Sequence, residues 1–171
     1  TEHPVEESEK MASNVVAFPH QEQREEEADI TGSEILEKKD FISTIRYMLK
    51  KDGEEYNPVE AEKLLLEKLK DASPKLQNYI CKTLGELYAD NYSVLHNYEE
   101  ALYYLEDCVD PGAQDSNVHA LLGKIYADKS YSGNDCKRAE YHFLQAINDP
   151  KKNYLKLRLS RMYADASSEL C

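Results

Sequence analysis

The side chains best suited to chemistry in this chain are five histidines (His3, His20, His96, His119, His142), four cysteines (Cys81, Cys108, Cys136, Cys171) and 33 carboxylates. A hydrolytic zinc helix needs two histidines one turn apart with a glutamate beside the first, and a thiol nucleophile needs a base to take its proton. No His-Glu-x-x-His is present, and no histidine stands near a cysteine in such a context. The cysteines form no Cys-x-x-Cys pair and no metal-ligand spacing, so they read as reduced thiols of a cytoplasmic or nuclear protein. Carboxylate pairs at Glu54-Glu55 and Glu99-Glu100 suit helix caps and solvated faces, and Gly133 stands alone where a phosphate cradle would need several glycines. The expectation is a protein that is not an enzyme and carries no metal or cofactor.

Charge narrows the partners. A net charge of −12 opposes nucleic acid and anionic lipid as main ligands, because both need a basic surface. No apolar run approaches the roughly 20 residues that span a bilayer, and the N-terminus lacks a signal-peptide core, so no membrane insertion is expected. Residues 1–33 hold nine acids and two bases, with few apolar residues and no period. Such a segment buries too little to offset about 1–2 kcal/mol of backbone entropy per residue, and it reads as a disordered acidic tail. Within it Asn14-Val-Val-Ala-Phe-Pro-His20 is an apolar island, a chance stretch or a docking motif. The chain begins at Thr1 and ends soon after its last repeated phrase, as a piece of a longer protein would.

The elements that must position these residues are announced by repetition. Leu84-Gly-Glu-Leu-Tyr-Ala-Asp90 recurs as Leu122-Gly-Lys-Ile-Tyr-Ala-Asp128 and Leu159-Ser-Arg-Met-Tyr-Ala-Asp165, at intervals of 38 and 37 residues. Self-similarity at such a period signals stacked repeats. Seventeen residues after the first two phrase leucines stand Ala101 and Ala139, followed at four and eight residues by Leu105 and Val109, and by Phe143 and Ile147. That spacing is one stripe of an α-helix, and Ala61, Leu65 and Leu69 repeat it upstream.

Asn57, Asn97 and Asp135 each precede their anchoring alanine by four residues, and all are strong N-cap types. Pro58 suits the first helical position, and Glu60 and Glu100 suit the positive end of the helix. Each unit is therefore a helix A, a loop, a helix B and a turn. Helix A is expected at about 41–51, 75–89, 116–128 and 153–165, and helix B at about 58–71, 98–109 and 136–148. Ser73-Pro74, Asp110-Pro-Gly112 and Asp149-Pro150 close the units. Gly85 and Gly123 lie inside helix A, where each costs about 1 kcal/mol relative to alanine. Close approach of helix B, through Ala101 or Ala139, would explain them.

Leu-Gly-x-x-Tyr, an alanine seventeen residues after the leucine and an aromatic three further on (Tyr104, with His142 in the next unit) resembles the Sel1-like repeat, a relative of the tetratricopeptide repeat. Val94, Asn97 and Asp135 match its loop and capping positions, whereas the tetratricopeptide repeat itself has a shorter period of about 34 residues. The likeness covers residues 41–165, and it departs from the pattern at Asn91, Ser93, Lys129 and Tyr131 in the loops and at Ser160 for glycine. The resemblance implies an all-α, right-handed α-solenoid: an acidic tail over 1–33, then a repeat domain over 34–171 with units at about 41–73, 74–112 and 113–150 and a half unit at 151–171.

It also implies a non-catalytic scaffold or adaptor that takes a protein or peptide partner on its concave face; the alternative is a regulatory repeat domain attached to an enzyme outside this chain. The candidate contact residues are Tyr79 and Tyr154, which the repeat does not demand, and the column Glu86, Lys124, Arg161, which runs from acid to base along helix A. The last helix A, with Leu155, Leu159 and Met162 and no helix B after it, offers self-association through an open end.

Overall fold

The three cap residues read from the sequence are where helices begin. Asn57 accepts from the Glu60 N–H, Asn97 from those of Glu99 and Glu100, and Asp135 from those of Lys137 and Arg138. Each cap also donates its own N–H to the end of the preceding helix, Asn57 to Met48, Asn97 to Tyr88 and Asp135 to Tyr126, all at 2.9 Å. One bond thus closes all three loops, and it removes one orphan donor and one orphan carbonyl at once.

The computed structural model describes residues 32–166, so most of the acidic tail, its apolar island and Cys171 lie outside the described residues. Seven α-helices follow in order: α1 (Gly32–Met48), α2 (Pro58–Leu69), α3 (Pro74–Ala89), α4 (Tyr98–Leu102), α5 (Ser116–Tyr126), α6 (Cys136–Ile147) and α7 (Tyr154–Ala166). Helix α4 runs on as a π-helix over Tyr103–Cys108, and 3₁₀ turns at Pro111–Ala113 and Pro150–Lys152 lead into α5 and α7. No strand occurs among the described residues, and no helix there is long and apolar enough to cross a membrane. The main difference from the expected bounds is at the start, where α1 begins nine residues before Phe41 and takes in Gly32 and Ser33 from the expected tail.

Packing follows chain order. Helix α1 lies against α2, α2 against α3, α3 against α4 and its π extension, α5 against α6, and α6 against α7, while α3 also touches α5. Helix α5 is the shared wall: its Val118, Leu122 and Ile125 join the larger core with Ile45, Leu65, Ile80 and Leu105. Its Ala120 and Tyr126 join a second core with Phe143, Leu155 and Leu159.

The glycines have the cause expected of them but a different neighbour. A Cβ on Gly85 would lie 2.4 Å from Leu105 Cγ, and one on Gly123 would lie 2.5 Å from Phe143 Cδ1. It is the large residue one turn beyond each anchoring alanine, not Ala101 or Ala139, that presses on the bare backbone. The phrase tyrosines stitch the units together. Tyr88 donates to Glu62 of α2, Tyr126 to Glu106 at 2.9 Å, and Tyr163 to Glu140 of α6. Tyr88 also stacks on Tyr104, with centroids 5.6 Å apart, and Tyr126 on His142 at 5.9 Å.

Reduced thiols are not what the structure holds. Cys81 of α3 and Cys108 at the end of the π-helix form a disulfide with their Cα atoms 5.9 Å apart, and Cys136 is disulfide-bonded as well. Spacing could not reveal this pair, because the cysteines stand on different helices that meet only after packing. The equivalents of Cys108 are Lys68 in α2 and Ala146 in α6, and both helices stay α-helical there. The π-helix coincides with the cross-link.

Gly123→Ala is expected to cost about 1–3 kcal/mol despite alanine's better helix propensity, because Phe143 has nowhere to go. Gly112→Ala, with nothing within 4 Å of a new Cβ, should stay within about 0.5 kcal/mol. Urea midpoints decide, and equal values for the two variants would contradict the packing. Reduction of the Cys81–Cys108 bond, which closes a separation of 27 residues, should lower stability by about 2–4 kcal/mol. An unchanged midpoint in reductant would show that no such bond constrains the chain.

Candidate partner-binding groove

Helices α3, α5 and α7 place successive polar side chains along one groove, and Glu86 is its centre. A cavity of about 420 Å³ runs from Glu86 and Asp90 on α3 and its cap, past Lys124 and Asp128 at the end of α5, to Arg158 on α7. A second cleft of about 570 Å³ shares Glu86 and continues through Lys82 and Asn78 to Tyr79, with Asp115 and Asn117 on its far wall.

The expected residues fall on this path unevenly. Glu86 and Lys124 line the first cavity, and Lys124 Nζ lies 5.8 Å from the centre of the Tyr154 ring. Tyr79 lines the second cleft, half-buried against the core. Arg161 is exposed on α7, while Arg158, one turn earlier, is the cation that reaches the cavity. The charge column therefore reads Glu86, Lys124, Arg158 at the groove wall. Arg158 escapes a repeat-based search because its counterpart in the preceding phrase is Leu121.

Electrostatics divide the groove charges into spent and unspent. Burial against the groove walls raises the Glu86 carboxyl above the usual range, Asp115 adds to this, and Lys152 and Lys82 pull the other way. Asp115 also suffers desolvation, but Lys82 at 2.9 Å and the N–H groups of Val118 and Asn117 hold it below the ordinary value. Lys51 at 2.6 Å and the Tyr92 N–H hold Asp90 low in the same way. Asp128 accepts from Ser130 and, at 2.6 Å, from the Tyr98 hydroxyl. The Tyr98 hydroxyl also lies 2.8 Å from Asn91 Oδ1, and its one proton can serve only one of these two acceptors at a time. Desolvation and Asp128 together push the Tyr98 phenol up to about 12. Lys124, Arg158 and Arg161 have no carboxylate within ion-pair reach among the described residues.

A further cluster of titratable groups, Glu106, Arg138 and His142, lines a separate cleft of about 550 Å³. His142 is only 7% exposed, stacked on Tyr126, with Nδ1 3.0 Å from Nδ1 of His119 on α5. Burial, His119 and Arg138 lower its pKa to about 4. Glu106 stands 3.8 Å from the other ring nitrogen but is engaged by Arg138 at 2.7 Å and by Tyr126. No group of three or more His, Cys, Asp or Glu side chains among the described residues is placed to hold a metal ion.

The sequence reading also missed the basic character of the last helix. Between Pro150 and Tyr163 the chain carries five cations (Lys151, Lys152, Lys156, Arg158, Arg161) and no acid. A charge count over short windows would have shown it within so acidic a chain.

Because the folded state holds His142 neutral, stability should be full above its unfolded pKa near 6.5 and should fall as pH drops from there towards about 4. His142→Phe should reduce the pH dependence of the denaturation midpoint across that window, leaving the share of His119, whose pKa burial also lowers. Losses from Asp90, Asp115 and Asp128 come below the ordinary Asp value of 3.8, outside it. An unaltered slope in the variant would place the proton uptake elsewhere. No family model, curated protein or solved structure matches the chain.

Proposed function

We propose that this chain is a non-catalytic interaction module, a right-handed α-solenoid of Sel1-like units that holds a partner polypeptide in the groove of α3, α5 and α7. The observation that carries the reading is the continuity of that groove. Glu86 belongs to both clefts, so one path some three helices wide leads from Tyr79 to Arg158. Helices stack about 10 Å apart, and such a path suits an extended peptide better than a compact small molecule.

The repeated devices favour stacked units over a bundle. Loop closure by the cap N–H, the helix-B side chain seated on glycine and the tyrosine stitch to the preceding helix B each recur at the repeat interval. Each acts between chain neighbours, which is how repeat arrays hold together. The Cys81–Cys108 bond favours an oxidising compartment over the cytoplasm read from cysteine spacing.

Selection from a random peptide library on the immobilised full chain tests the reading. Selected peptides should weaken with Lys124→Glu, since Lys124 lines the cavity. They should lose about 1–2 kcal/mol of affinity with Tyr154→Ala, a residue 49% exposed whose ring lies beside Lys124 at the cavity's edge. Thermal melting of both variants should match the parent, since surface changes of this kind shift stability by about 0.5 kcal/mol or less. Peptides indifferent to both substitutions would place the binding surface outside the groove.

A further inference from the structure

The exposed face of α7 departs from the rule that the earlier units follow. On α3 and α5 the phrase glycine lets the next helix B press onto helix A, with Leu105 over Gly85 and Phe143 over Gly123. On α7 that position is Ser160, exposed, with its hydroxyl donating to the Lys156 carbonyl at 2.8 Å. A side chain there blocks an approach that would already bring a Cβ within about 2.5 Å of the incoming residue, by analogy with Gly123. This face is not shaped to take a helix B as α3 and α5 do.

Its chemistry points to a different occupant. Leu155 and Leu159 are buried against α6, with Met162 beside them, so Leu157 lies at the middle of the opposite face and is 58% exposed. Around it stand Lys156, Arg158 and Arg161, with Tyr154 and Tyr163 at the margins and Lys151 and Lys152 on the preceding turn. None of these five cations forms an ion pair within 4 Å among the described residues, although Lys151 and Lys152 act at longer range on Asp149 and Lys152 also on Glu86. Some cations elsewhere find acids, Lys51 with Asp90, Lys82 with Asp115 and Arg138 with Glu106. Others, such as Arg46 and Lys75, stand singly rather than clustered around an exposed apolar side chain. In a chain of net charge −12, five unpaired cations around an exposed leucine form a surface that attracts anions and offers apolar contact at its centre.

We infer that this face of α7 and the Pro150–Lys152 turn dock an acidic polypeptide segment that carries an apolar side chain among its carboxylates. The inference rests on the reading of the chain as a polypeptide-binding module and names the chemistry of the partner. A peptide is favoured over a nucleic acid or a membrane by the size and border of the patch. Helix α7 has 13 residues and spans about 20 Å, and Glu86, Asp90 and Asp128 line the adjoining cavity. A short segment fits within the cationic strip, whereas a long polyanion would meet those acids and the negative remainder of the chain.

Fluorescence polarisation with the full chain tests this. The probe is a labelled twelve-residue peptide of alternating Glu and Leu, with a Gln-Leu peptide of the same length as control. The acidic peptide should bind, the control should bind at least about tenfold more weakly, and added salt should weaken the acidic complex. The triple variant Lys151→Glu, Lys152→Glu, Lys156→Glu should lose at least about tenfold in affinity with an unchanged circular dichroism melt. Leu157→Ala should weaken binding without changing its salt dependence. If that melt is altered, Leu157→Ala alone decides, and no effect from it overturns the inference.

Equal binding of both peptides, or of neither, would overturn the inference. So would tighter capture of single-stranded DNA or of phosphatidylserine vesicles than of the acidic peptide. A concentration-dependent dimer in sedimentation that the triple variant abolishes would assign the face to a second copy of the chain instead. Library-selected peptides that depend on Lys124 yet ignore the triple lysine substitution and Leu157→Ala would leave the groove reading standing while this inference fails.

Discussion

The structure depends on how closely a helix B can approach the helix A before it. Where glycine removes a side chain from helix A, Leu105 or Phe143 fills the space and sinks into the core. Burying such a residue is worth about 1.5–3 kcal/mol, more than the roughly 1 kcal/mol by which glycine weakens a helix interior. The favourable term is larger, so the repeat keeps a residue that local propensity alone would reject. Once that distance is set, the phrase tyrosine lies within hydrogen-bond reach of an acid on the preceding helix B, and its ring stacks on an aromatic or histidine of its own unit.

The tyrosine stitch shows how the fold keeps an interaction while its residues change. Glu62 and Glu140 each stand one place after the anchoring alanine and accept from Tyr88 and Tyr163. The middle unit has Leu102 there, and Glu106, one turn on within the π-helix, takes Tyr126 and Arg138. Desolvation and the nearby carboxylate both raise the phenol pKa of Tyr88 and Tyr126, so these hydroxyls stay protonated donors at any physiological pH.

The groove inherits its character from what the stitches leave over. Asp90, Asp115 and Asp128 serve loops, caps and neighbouring lysine or tyrosine side chains, so their charge is already engaged. Lys124, Arg158 and the cations of α7 are not so engaged. Cations line both clefts, Lys124 and Arg158 in the first and Arg46, Lys75 and Lys82 in the second.

The sequence by itself determined most of the helices and the caps of α2, α4 and α6, because these rest on interactions within a few residues. An Asn57 or Asp135 side chain needs only the next turn to make its bond, and an i, i+4, i+8 stripe defines a buried face wherever the helix packs. It also told that Gly85 and Gly123 must lie against something. Only the tertiary structure decided that the something is Leu105 and Phe143, that Cys81 meets Cys108, that Glu106 replaces a missing acid and that Arg158 reaches the groove ahead of Arg161. Those outcomes depend on the distance and rotation between helices about 20 to 40 residues apart, which the summed packing of both cores sets and no local spacing encodes.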